Sequence, residues 1–149
     1  MGFTITVRSI LKAKGGAVWS VRPETSVFDA LKLMAEKEVG AVVVVSGAEL
    51  IGVFSERDYA RKLVLQGKSS RDTRVAEVMS REIVTVGPEQ TVQECMRIMT
   101  HKRIRHLPVV EGGTLAGVVS IGDLVNAIIS AQAETIQQLS GYIAGKYPG

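Results

Sequence analysis

The feature that most constrains this chain is an internal repeat: residues 50–58 recur, 65 positions later, as residues 115–123. Both copies carry Gly, two apolar residues, Ser, two variable residues and Asp. The same offset aligns residues 21–27 with residues 86–92 without a gap. A repeat of this kind predicts two equivalent supersecondary units that pack against each other.

Each copy predicts a buried strand that leads directly into a helix. Ser55 and Ser120 are natural N-caps, and Asp58 and Asp123 follow three residues later as capping-box-like partners. A helix N-terminus offers unpaired amides and partial positive charge to a phosphate, and a neighbouring carboxylate can accept hydrogen bonds from ribose hydroxyls. One such pair indicates ordinary capping. Two pairs at a constant offset, each after a glycine and a buried strand, favour a binding role.

The segments that carry the repeat are residues 23–27, 41–45 and 52–58 in the first copy and residues 88–92, 105–110 and 117–123 in the second. With these residues each copy resembles a CBS motif, and the two together resemble a CBS pair, or Bateman module. The resemblance covers residues 7–131. More narrowly, the chain is similar to the small stand-alone CBS-pair proteins of bacteria.

Hydrophobic periodicity predicts an α/β fold in which each unit runs roughly β-α-β-β-α, with pseudo-two-fold symmetry and a C-terminal helical extension. The expected divisions are residues 7–67 for the first motif, 68–74 for a linker, 75–131 for the second motif and 132–149 for the extension. Short lead-in helices are expected at residues 7–11 and 75–79, strands at 18–21, 41–45 and 50–54, and helices from 27 and over 56–65. Residues 12–16 predict a flexible basic loop.

The composition argues against several classes of function. A net charge of +3 with no long basic run and 5% aromatic residues is weak support for nucleic-acid binding. Cys95 is the single cysteine of the chain and lies on an apolar helical stripe. Because one cysteine cannot form an internal disulfide, the count favours a reducing, cytoplasmic location. We expect neither a signal peptide nor a membrane span. His101 and His106 lack further metal ligands, and no nucleophile–base set is present, so no enzyme activity, metal or catalytic cofactor is expected.

The resemblance implies a regulatory module that binds an adenosine ligand, namely AMP, ADP, ATP, NAD or S-adenosylmethionine. Asp58 and Asp123 would hold ribose hydroxyls, and Arg57 and Arg105 would contact phosphates. The full set of expected ligand-binding residues is Val39, Gly40, Ala41, Ser55, Arg57, Asp58, Ile104, Arg105, His106, Ser120, Gly122 and Asp123, with Lys12, Lys14 and Arg103 as candidate phosphate contacts. The expected partners are a second copy of the chain, in a homodimer, and a regulated protein that the sequence does not identify.

Two other classes of function stay open. One is a dimerisation adaptor that has the fold but empty clefts. The other is a nucleic-acid binder whose affinity would fall steeply with salt. Its basic residues would be Lys12, Lys14, Arg61, Lys62, Lys68, Arg71 and Arg74.

Overall fold

The computed structural model describes residues 4–143, with side chains described as far as residue 134. The strands are β1 (Ser20–Val21), β2 (Ala41–Ser46), β3 (Glu49–Ser55), β4 (His106–Glu111) and β5 (Thr114–Ser120). The helices are α1 (Val7–Lys14), α2 (Val27–Lys37), α3 (Glu56–Asp58, continued as a π-helix over Tyr59–Val64), α4 (Val75–Val78), α5 (Val92–Lys102) and α6 (Ile121–Ile143). The first unit runs β1-α2-β2-β3-α3 and the second α5-β4-β5-α6, so the α/β fold of two repeated units is confirmed.

The strands of the two sheets pair in equivalent registers. In the first, β1 pairs parallel with β2, and β2 pairs antiparallel with β3. The hairpin of β4 and β5 repeats the second pairing, and both hairpins have a register shift at the same place, after Val44 and after Val109. The first strand of the second unit is reduced to a single bridge between Val86 and Val109. These hairpins bring the ends of β3 and β5 to equivalent positions.

Helices α2 and α5 occupy equivalent positions in the two units, and both begin at a capping residue and bury an apolar stripe. The Ser26 hydroxyl accepts a hydrogen bond from the Asp29 amide at the start of α2. Thr91 and Glu94 form a capping box at the start of α5. Each helix turns an apolar stripe into the core, and Cys95 on α5 is fully buried. Cys95 is therefore a packing residue, and burial raises the pKa of its thiol.

The two lead-in helices are exchanged between the units. Val7 and Ile10 of α1 are buried in the core of the second unit, whereas Val75 and Val78 of α4 are buried in the core of the first. Equivalent backbone hydrogen bonds fix both helices: Val7 donates to the Gln90 carbonyl at 2.9 Å, and Val75 donates to the Thr25 carbonyl at 2.8 Å. Each unit is thus completed by a helix that precedes the other unit in the chain.

A glycine in each sheet permits this close packing. A Cβ atom on Gly52 would lie 2.7 Å from the Met79 sulfur and 2.9 Å from the Ser80 carbonyl oxygen. A Cβ atom on Gly117 would lie 2.7 Å from a methyl group of Leu11. Met79 and Leu11 therefore occupy equivalent positions, one against each sheet.

Three local expectations are corrected. The prediction of a flexible basic loop over residues 12–16 is wrong for Lys12 and Lys14, because both belong to α1. The helix ends at Lys14, and Gly15, with a φ of 91°, is its C-cap. The helix over residues 56–65 becomes a π-helix at Tyr59. The expected extension from residue 132 is not a separate element, because α6 runs from the second motif without a break to Ile143, while residues 144–149 lie outside the described residues. Within residues 4–143, no helix is long and apolar enough to cross a membrane.

Candidate functional site

The junction between β3 and α3 is a reciprocal capping box. The Asp58 amide donates to the Ser55 hydroxyl at 3.2 Å, and Asp58 Oδ2 accepts the Ser55 amide at 3.0 Å. The other carboxylate oxygen, Oδ1, lies 3.1 Å from the Lys62 ammonium. The Asp58 side chain is mostly buried, with 13% of its surface exposed. The turn therefore fixes a carboxylate beside a helix N-terminus.

The junction between β5 and α6 repeats this geometry. The Asp123 amide donates to the Ser120 hydroxyl at 3.1 Å, and Asp123 Oδ2 accepts the Ser120 amide at 2.8 Å. The capping partners expected from the sequence are therefore present in both units.

The two junctions differ in the lysine that each carboxylate meets. Lys62 comes from the helix that Asp58 itself begins. Asp123 Oδ2 instead accepts from Lys14 Nζ at 2.7 Å, and Lys14 belongs to α1. Burial raises the pKa of Asp123, but the hydrogen bonds from Lys14 and Ser120 outweigh it, so the pKa lies below its usual range.

A cleft of about 450 Å³ opens at the first junction, and we call it the first cleft. One wall comes from the end of β3 and from α3. Further lining comes from the residues that lead into β4, and the segment after α4 contributes Ser80, Glu82 and Val84. This cleft is therefore built from both halves of the chain, and the exchange of α4 adds the segment that follows it.

The first cleft is rich in cations that have no counterpart in the repeat. Its cationic residues are Arg57, Arg61, Lys62, Arg103 and Arg105. At the 65-residue offset, their equivalents are Gly122, Asn126, Ala127, Glu38 and Gly40. The Arg57 guanidinium donates to the Arg103 carbonyl at 2.7 Å and so spans the cleft. Against these cations the cleft has the carboxylates of Glu56, Asp58 and Glu82, an arrangement suited to an anion such as phosphate.

His106 lies between the two junctions. Burial lowers its pKa, the nearby Asp123 and Asp58 carboxylates act in the opposite direction, and Lys14 and Arg105 lower it further. The net shift is downward, so the imidazole is neutral at pH 7. Its ring approaches within 3.3 Å the position that a Cβ on Gly40 would take. A neutral ring here can donate or accept one hydrogen bond toward a ligand.

The structure brings together many, but not all, of the residues expected at a ligand site. Those that line the first cleft are Gly40, Ser55, Arg57, Asp58, Arg103, Ile104, Arg105 and His106. Ser120, Gly122 and Asp123 lie at the second junction, where Lys14 also lies. Val39 lies with Gly40 at an adjoining apolar pocket, and Ala41 is buried at the start of β2. Lys12 lies apart, beside Arg8 and Glu111.

About half of the residues that line the first cleft were not expected from the sequence. The missed residues are Val53, Glu56, Arg61, Lys62, Ser80, Glu82, Val84 and Pro108. Arg61 and Lys62 lie three and four residues after Asp58, so helical spacing could have indicated them. Ser80, Glu82 and Val84 reach the cleft only through the helix exchange, which hydrophobic periodicity does not reveal. Within the described residues, no three His, Cys, Asp or Glu side chains cluster as metal ligands.

Comparison with known proteins places this geometry in a family. The family model described as "CBS domain" matches residues 17–65 and 75–130. The chain is 41% identical to the CBS domain-containing protein CBSX3, mitochondrial, of Arabidopsis thaliana, over 95% of this chain and 73% of that protein. A solved protein with CBS domains from Burkholderia ambifaria MC40-6 superposes with a TM-score of 0.83 and 51% identity, covering 85% of this chain and 96% of the other.

A more distant structure shares the fold alone. The CBS domain pair of protein MJ0100, solved in complex with 5-methylthioadenosine and S-adenosyl-L-methionine, has a TM-score of 0.75 at 20% identity, covering 86% of this chain and 98% of the other. The family model covers both repeats, and the relatives agree with it. The chain belongs to the CBS-domain family, with two CBS motifs.

Proposed function

We propose that the protein is a sensor that binds an adenosine nucleotide in the first cleft and transmits its occupancy to a partner protein. The observation that carries the proposal is the combination, in one cleft, of the Asp58 carboxylate at a helix N-terminus with five cationic side chains. The carboxylate suits ribose hydroxyls, and the cations suit phosphates. The adenosine ligands of the MJ0100 domain pair support the same ligand class.

The ligand that fits the charges best is ADP or ATP. Five cations against three carboxylates favour an anion with more than one phosphate group. S-adenosylmethionine carries one carboxylate against a cationic sulfonium and an ammonium group, so it would gain less from these arginines than a polyphosphate would. AMP and NAD carry fewer phosphate charges at one end and should bind more weakly.

Roles follow from position in the cleft. In this proposal Asp58 Oδ1 accepts a ribose hydroxyl, and the exposed Lys62 side chain moves from Asp58 toward the phosphates. Arg57 and Arg105 contact phosphate oxygens. Ile104 and His106 form one wall of the adenine and ribose site. Val39, Ala41, Ser120, Gly122 and Asp123 would serve the equivalent position at the second junction, while Gly40 lines the first cleft.

The test is a calorimetric titration of the full chain with ATP, ADP, AMP, NAD, S-adenosylmethionine and GTP. We expect ATP or ADP to bind tightest. Because hydrogen bonds to a charged group contribute about 1.5–3 kcal/mol, Asp58→Asn should weaken binding about 10- to 150-fold. Asp72→Asn, at an exposed linker carboxylate, is the control. Absence of binding by every nucleotide at millimolar concentration would favour the adaptor function instead.

The same proposal includes a homodimer formed through the exposed helix faces. Val64 and Ile129 occupy equivalent positions in the repeat, and 52% and 56% of their surfaces are exposed. Leu65 and Val125 extend the apolar surface on the two helices. Burial of such residues favours association. Analytical ultracentrifugation of Val64→Asp and Ile129→Asp, compared with the unchanged chain, tests it: a dimer should dissociate in both variants.

We further propose a regulatory rather than catalytic role, in the cytoplasm. The chain has one cysteine, Cys95, and its thiol is free and buried. It therefore has no internal disulfide for an oxidising compartment to form, which favours a reducing compartment such as the cytoplasm. Incubation with ATP followed by chromatography of the nucleotide checks the absence of catalysis, since a binding module should return the nucleotide unchanged.

A further inference from the structure

We propose that Lys14 is an internal competitor that occupies the second cleft, meaning the site around Ser120 and Asp123 at the β5–α6 junction, and so keeps nucleotide from it. The inference rests on the proposed function, because it assumes that Asp123 can hold a ribose as Asp58 does. Its direct basis is the position of the Lys14 ammonium.

Lys14 is held at two points. Its Nζ donates to Asp123 Oδ2 at 2.7 Å and to the Val118 carbonyl at 2.9 Å. The same Oδ2 atom also accepts the Ser120 amide, so Lys14 neutralises the carboxylate at the oxygen that the turn already holds. The Asp123 side chain is 21% exposed and that of Lys14 is 37% exposed. A ligand that approaches Asp123 therefore meets the ammonium group.

The first cleft differs in the origin of its lysine, because Lys62 meets Asp58 at 3.1 Å from the helix that Asp58 itself begins, and not from an exchanged helix. Leu11 and Met79 are equivalent, because each packs on the sheet glycine of the unit that receives the exchanged helix. Three residues further along, Lys14 corresponds to Glu82. Glu82 lines the first cleft and pairs with Lys102 at 3.3 Å. Glu82 adds no cation to Asp58, and the lysine that does meet Asp58, Lys62, lies within the first cleft among the cations proposed to contact phosphate.

The surrounding charge supports competition rather than phosphate binding by Lys14. The positions that supply arginine or lysine to the first cleft are Gly122, Asn126 and Ala127 in the second unit. A phosphate that drew Lys14 away would leave Asp123 without its cation and would gain few others. Removing Lys14 should therefore raise nucleotide affinity at the second cleft, by about tenfold or less, since partly exposed ion pairs are weak.

The experiment uses Asp58→Asn as the background, so that the first cleft is weakened and the second can be observed. Calorimetric titration with ADP compares this variant with Asp58→Asn/Lys14→Met and with the triple variant that adds Asp123→Asn. We expect the double variant to bind several-fold to tenfold tighter than its background, and the triple variant to lose the gain. Asp58→Asn/Lys12→Met is the matched control, since Lys12 lies in the same helix beside Arg8.

The outcomes separate this inference from the proposed function. If the unchanged chain binds ADP through Asp58 and Lys14→Met adds nothing or weakens binding, the competitor is refuted and the proposed function stands. If the unchanged chain does not bind ADP but Lys14→Met creates an Asp123-dependent site, the competitor stands and the first-cleft proposal fails. Absence of binding in every variant, with circular dichroism showing folded protein, overturns both.

Discussion

Replacing Gly52 with alanine should destabilise the protein much more than the same change at Gly117. At Gly52 the new methyl group would meet the Met79 sulfur at 2.7 Å and the Ser80 carbonyl oxygen at 2.9 Å. Ser80 cannot retreat freely, because its backbone exchanges two hydrogen bonds with Val53, of 2.8 and 3.0 Å. Relief of the contact must strain or lengthen these bonds.

The expected magnitude follows from these contacts. Overpacking costs about 1–3 kcal/mol, and weakening one backbone hydrogen bond adds about 0.5–1.5 kcal/mol. Gly52→Ala should therefore lower the free energy of unfolding by about 2–4 kcal/mol. At Gly117 the methyl group meets only the side-chain tip of Leu11 at 2.7 Å, which can turn aside. Gly117→Ala should cost about 0.5–1.5 kcal/mol, the energy of displacing a side chain from its rotamer.

Urea unfolding monitored by circular dichroism measures both variants. With a slope of about 2 kcal/mol per molar urea, Gly52→Ala should move the midpoint down by about 1–2 M and Gly117→Ala by less than about 1 M. Equal shifts, or a larger shift at Gly117, would refute the argument that a pinned backbone carbonyl decides the cost.

Three further predictions concern charge and burial. The folded-state pKa of Asp123 lies below its usual 3.8, so its stabilising contribution is present above about pH 5 and is lost as pH falls through that lowered value; the difference between the urea midpoints at pH 7 and pH 3 should therefore be smaller in Lys14→Met than in the unchanged chain, and an equal difference would contradict the pairing. Cys95 is fully buried with a raised pKa, so a thiol reagent should modify it in denaturant and leave the native protein unlabelled over the same time. Phe54 is fully buried, and Phe54→Ala should cost about 3–5 kcal/mol in urea unfolding; a cost under about 1 kcal/mol would mean that the first core is misdescribed.

Local structure was predictable where one stretch of sequence determines it. The capping pairs at Ser55 and Ser120 and the buried stripe through Cys95 follow from short-range spacing, and the structure confirms them. The π-helix after Asp58 was not predictable, because residues 59–64 show the same apolar spacing that an α-helix would need. The ligand role of the site residues stays a prediction.

Long-range pairing could not be read from local pattern. The apolar spacing in α1 predicts a buried face, yet nothing in it says which unit covers that face. Lys14 illustrates the consequence: in sequence it is one cation of a basic segment, whereas in the fold it meets Asp123, 109 residues away. The composition of the first cleft depends on the same exchange, through Ser80 and Glu82.

The exchange of α1 and α4 also bears on how such a chain can arise by duplication. A single ancestral unit with this packing would have no second unit in its own chain to receive its lead-in helix. Two such chains would satisfy each other reciprocally, each inserting its first helix into its neighbour's core. Fusion of two copies then keeps these contacts and changes only the connectivity, so a single chain has the architecture of a helix-swapped dimer joined by a linker.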